Sequence, residues 1–184
     1  MPGTVSKSER ALGALLQLAY SGELAAAYAY RGHWKSSSNA AERARIREIE
    51  EEEWYHRREA GEMLAELGLA PNRLREFRAT LIGRTLGALC HVSGWLAPMY
   101  GAGKLESRNV REYETAARHA RDCGRSEWVD CLLTMAEVEW DHERYFRERV
   151  VSHWLGKRLP LWKEPPSREN IRTAFEQEAA PCLS

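Results

Sequence analysis

The stretch IEEEEWYHRRE, residues 49–59, sets four glutamates side by side and places a histidine three residues after the last of them. An α-helix turns by about 100° per residue, so four consecutive side chains cannot share one environment. Most of them should face water, and the question is which one does not. Stepping by three or four from Ile46 through Ile49 reaches Glu53, then His56, then Ala60. Glu53 and His56 are therefore in register with an apolar stripe, while Glu50, Glu51 and Glu52 largely fall outside it.

The pattern recurs further along the chain. Met135, Glu139, His142 and Phe146 follow the same spacing, and EWDH (139–142) parallels EWYH (53–56). Two other helical stretches interrupt their stripes with a single acid: Glu23 lies between Ala19 and Ala26, and Glu106 precedes Val110 and Tyr113. Each long helix thus aims one carboxylate inwards, and two also aim a histidine. Burying such groups unpaired costs several kcal/mol apiece, roughly. Six donors around two divalent ions would remove that penalty, and mixed oxygen and nitrogen donors suit iron or manganese.

Helical periodicity dominates the rest of the sequence, and no segment alternates with period two over a useful length. The spacing predicts helices over residues 8–34, 40–67, 100–121 and 126–154, with a short one near 168–178. Residues 73–98 read as an apolar, glycine-broken connection between the second and third long helices. The expected fold is all-α: a ferritin-like four-helix bundle over residues 1–160, with a long crossover and additional short helices, then a tail over 161–184.

Composition narrows the function classes. Twenty-seven basic residues balance 27 acidic ones, so no global field draws the chain to nucleic acid or an anionic membrane. The four cysteines, Cys90, Cys123, Cys131 and Cys182, include no CxxC pair, which argues against a disulfide framework and for a reducing cytoplasm. The first ten residues lack an apolar run of signal-peptide length. Arg84, His91 and many glycines make residues 81–103 a poor spanning helix, with a peripheral membrane contact left open.

The order Glu23, Glu53-x-x-His56, Glu106, Glu139-x-x-His142 resembles that of ferritin-like di-iron carboxylate proteins. Within that group, GELAAAYAYRG (22–32), the glycine-rich segment before Glu106 and the tyrosine at 113 are similar to features of the demethoxyubiquinone hydroxylases. The resemblance implies a di-iron centre that activates O2 and hydroxylates a quinone ring, with an external electron donor. It also implies Glu53 and Glu139 as bridging ligands, Glu23 and Glu106 as terminal ones, and His56 and His142 as one nitrogen ligand per metal. Tyr30 and Tyr113 lie within two turns of a ligand on their helices, where they would bond to ligand oxygens or serve as ordinary core tyrosines. Manganese fits the same donors. Haem is not implied, because Trp54 stands where bacterioferritins carry a haem-binding methionine.

Three readings stay open at this point. The first is an O2-activating oxidoreductase, a monooxygenase of the hydroxylase type acting on a small apolar or quinone-like substrate. The second is a ferroxidase serving iron storage or peroxide defence, which needs a shell-like oligomer rather than a monomer or homodimer. The third is a metal-binding bundle without catalysis.

Overall fold

The computed structural model describes residues 6–179; Cys182 and the end of the tail lie outside them. Six α-helices account for most of the described residues, and no strand occurs among them. They are α1 (Lys7–Ser36), α2 (Ala40–Glu66), α3 (Arg73–Leu89), α4 (Leu96–Asp122), α5 (Val129–Ser152) and α6 (Arg168–Ala179). The all-α expectation holds. Among the described residues the chain forms two compact units, residues 13–99 in one and residues 6–12 with 100–179 in the other.

The 13–99 unit holds most of α1, all of α2 and all of α3. Asn39 caps α2, its Oδ1 accepting from the backbone N–H of Ala41 at 2.9 Å and of Glu42 at 3.1 Å. Such a cap satisfies donors that the first turn leaves without helical partners. Ile46, Ile49, Ala60, Met63 and Leu64 are buried along one stripe of α2, the stripe that also carries Glu53 and His56.

The connection read as glycine-broken is a regular helix for most of its length. Asn72 caps α3 by accepting from the N–H groups of Leu74 and Arg75, both at 3.1 Å. Its glycines do not break it; they let it lie against α1. A Cβ on Gly83 would stand 2.4 Å from the carbonyl oxygen of Ala25, and one on Gly32 would stand 2.2 Å from the backbone of Gly87. Only hydrogen fits in those places, so the intrinsic cost of glycine in a helix is offset by close backbone approach. Gly83, Gly87 and Ala79 are buried, while Leu74, Phe77, Leu81, Ile82, Leu86 and Leu89 are exposed.

The other unit is built on α4, α5 and α6. The 126–154 expectation resolves into a 3-10 turn, Ser126–Trp128, followed by α5. Leu132, Met135, Ala136, Phe146 and Val150 are buried on α5 together with Glu139 and His142. Beyond α5 an extended strap follows α4 and α5. Tyr100 Oη donates to the Pro160 carbonyl at 2.6 Å, Ser107 Oγ to Lys163 at 2.8 Å, and the Trp140 indole to Pro166 at 2.8 Å. Arg172 of α6 then reaches Glu137 of α5 at 2.8 Å and Asp130 at 2.7 Å.

Candidate metal centre

Each unit holds a buried group of two carboxylates and one imidazole. In the 13–99 unit, Glu23 of α1 is 3% exposed, Glu53 of α2 0% and His56 of α2 1%. One ligand atom from each lies within 4.8 Å of the others. The spacing of three between Glu53 and His56 puts both on one face of α2. Leu24, Ala26 and Ala27 are buried beside Glu23 in the α1 sequence.

In the second unit Glu106 of α4 and Glu139 and His142 of α5 are all fully buried, again with ligand atoms within 4.8 Å of one another. His142 Nδ1 lies 3.7 Å from Glu139 Oε2. Desolvation pushes the Glu106 pKa well above the usual carboxylate range, and the charge of Glu139 and a hydrogen bond with it push the same way. His142 and Asn109 pull it back in part. Asn109 lies one turn after Glu106 and donates from Nδ2 to Glu106 Oε2 at 3.0 Å and to Glu139 Oε2 at 3.4 Å. The two carboxylates are thereby crowded into a volume that disfavours two negative charges unless a cation joins them.

The donor chemistry of each group fits a divalent transition metal. Two carboxylates balance one dication, and a single imidazole beside carboxylate oxygens suits iron or manganese better than a thiolate-seeking metal. Tyr30 and Tyr113 are each 3% exposed and stand seven residues, two turns, beyond Glu23 and Glu106. The Tyr30 ring stacks on His33 at 6.5 Å between centroids.

One sequence expectation needs correction. Glu50 is not a solvated member of the glutamate run; it is 6% exposed. Arg31 Nε donates to its Oε1 at 2.7 Å, Trp34 Nε1 to its Oε2 at 2.6 Å, and Trp54 Nε1 to Oε1 at 3.3 Å. Reading α2 alone could not find these partners, because Arg31 and Trp34 come from α1. Glu51 is exposed and Glu52 half-buried. Asn109 was also missed, although its place one turn past Glu106 was a visible signal.

A search of curated proteins and of solved structures found no match to this chain. A family model does match, described as ubiquinone biosynthesis protein COQ7, over residues 10–145. That span includes all six acids and histidines of the two buried groups, and it selects the hydroxylase among the three readings left open by the sequence. The chain belongs to the COQ7 family, the demethoxyubiquinone hydroxylases of the ferritin-like di-iron superfamily.

Proposed function

We propose that Glu23, Glu53 and His56 together with Glu106, Glu139 and His142 hold two iron ions and that the substrate is a quinone ring. Glu53 and Glu139 are assigned as bridging ligands, Glu23 and Glu106 as terminal ones, and each histidine as the nitrogen ligand of one ion. The observation that carries this reading is the family match across residues 10–145 combined with a fully buried two-carboxylate, one-imidazole group in each unit. Four carboxylates would neutralise two dications, so burial of the set costs little once it is loaded.

Two ferrous ions, when bound, supply the paired electrons that reduce O2. In the overall reaction a ring C–H becomes C–OH, the second oxygen atom leaves as water, and an external donor supplies two electrons and two protons. The chain's own residues keep this chemistry dry and orient the ligands. Asn109 fixes the carboxylates of Glu106 and Glu139 by its amide, and Tyr30 and Tyr113 are assigned hydrogen bonds to ligand oxygens.

The helical bundle is assigned to residues 1–160 and the tail to 161–184. No helix among the described residues is long and apolar enough to cross a membrane. The exposed leucines and Phe77 of α3 are assigned to rest on a lipid surface, where an apolar quinone would be found.

Anaerobic Fe(II) titration of the apo protein tests the reading. Saturation near two ions per chain is the expected result, with manganese competing for the same places. Glu53→Ala is expected to abolish loading while circular dichroism shows unchanged helicity. Undiminished stoichiometry in that variant would remove Glu53 from the ligand set, and no binding by the parent chain would remove the site.

A further inference from the structure

Lined by none of the proposed metal ligands, a cleft of about 370 Å³ lies between α1 and α3 in the 13–99 unit. That volume falls in the range of small-ligand sites. Its floor is the glycine contact of the two helices, Gly32 and Gly87, and its polar wall carries three cations, Arg31 and Lys35 from α1 and Arg84 from α3, with His91 beside them. No acid lines it.

The cations differ in how they are held. Arg31 is anchored by buried Glu50 through two nitrogens, its Nε and Nη2 both 2.7 Å from Oε1. Its guanidinium also lies 5.6 Å from the centre of the Tyr28 ring, and that of Arg84 lies 5.3 Å from the same centre. One aromatic ring therefore steadies two guanidiniums drawn from two helices. Arg84 and Lys35 have no carboxylate partner among the described residues. Lys35 is in the last turn of α1, where a cation complements helix carbonyls. Arg84 stands six residues before the Cys90 cap of α3, so the helix end does not account for it. The cleft thus gathers three cations, of which Arg84 and Lys35 are solvent-exposed, and its two guanidiniums offer the flat, multiple donors that suit tetrahedral oxyanions.

We propose that this cleft binds a phosphate group, carried either by a soluble phosphate ester or by a phospholipid headgroup. Arg84 and Lys35 supply the charge, and Arg31, held by Glu50, supplies a fixed donor. The neighbouring exposed Leu81 and Leu89 of α3 make the headgroup source stereochemically accessible. The site is separate from the ligand set proposed for iron and does not depend on metal loading.

The test uses the full chain and inorganic pyrophosphate as probe, titrated by calorimetry at constant ionic strength. Saturable one-to-one binding is expected, weakened about tenfold or more in the Lys35→Gln/Arg84→Gln double variant. Arg58→Gln, an exposed cation outside the cleft, should leave it unchanged. Vesicles of equimolar phosphatidylcholine and phosphatidylglycerol then identify the source. Association that pyrophosphate displaces and the double variant weakens supports the headgroup. Association indifferent to both, alongside intact pyrophosphate binding by the parent, supports a soluble ester. Absence of saturable pyrophosphate binding overturns the proposal, as does an equal loss in Arg58→Gln.

Discussion

Two buried carboxylates that stand close to the ligand motifs in sequence are not assigned as ligands, and each solves its burial differently. Glu50, three residues before Glu53, takes its cation from another helix: Arg31 of α1, whose side chain is 44% exposed. Two indoles complete its shell. Glu143, next to His142, takes its cation from its own helix, Arg147 one turn on, whose side chain is only 9% exposed. The Trp162 indole of the strap donates to Glu143 Oε1 at 2.6 Å, and Arg147 donates to the Trp162 carbonyl at 3.2 Å. A buried acid that has an arginine and an indole needs no metal. Acids grouped with one another and with a histidine, as Glu106 is with Glu139 and His142, gain far more from one.

The difference in exposure should separate the two pairs sharply in stability. Arg147→Met leaves Glu143, 1% exposed, with an uncompensated charge. The expected loss is about 3–5 kcal/mol, the cost of breaking a buried pair on one side only. Adding Glu143→Leu should recover part of it, since the buried charge is removed although the Trp162 indole loses its acceptor. Urea denaturation of the three proteins reads both numbers. A loss below about 1 kcal/mol in the single variant would mean that water reaches Glu143 and that the strap does not seal it.

Much of this was legible in the sequence because the proposed ligands and the core share one periodicity. Glu53, His56, Glu139 and His142 were found by stepping along apolar stripes, and those stripes are buried. What escaped was whatever depends on a second element. Glu50 looked solvated because its arginine lies on α1, nineteen residues away. Residues 73–89 looked like a broken connection because glycine lowers helix propensity, whereas here it permits a backbone contact that propensity cannot register. The strap shows neither period, and only Pro and Trp mark it. Tertiary partners, not local pattern, decide all three.

The pH response sharpens the comparison from the α1 side. His33 is 4% exposed, and burial lowers its pKa from 6.5 to about 4. The unfolded chain therefore binds a proton at a pH where the folded one does not, so stability rises with pH through this window. His33 contributes no penalty above pH 6.5, and an increasing one as pH falls towards 4, reaching about 3 kcal/mol below that value. His33→Gln should lose this part of the acid sensitivity. Denaturation midpoints of parent and variant taken from neutral to pH 4 measure it, and parallel curves would show that His33 is solvated or charged in the folded chain.

The smallest effect belongs to Glu50. Glu50→Gln keeps the shape but only one acceptor oxygen; that oxygen can serve Arg31 and Trp54, and the half-buried Trp34 indole must then turn to water. Arg31, nearly half exposed, can turn to water, so the expected cost is about 1 kcal/mol, well below that of Arg147→Met. Iron stoichiometry should stay at the parent value, since Glu50 is satisfied without a metal although it lies one turn from Glu53. A drop in iron binding at unchanged stability would contradict the division between arginine-held acids and those proposed to hold metal, because it would place Glu50 among the ligands. A stability loss matching that of Arg147→Met would contradict the other half, since the exposure of Arg31 would then give the charge no route to solvent.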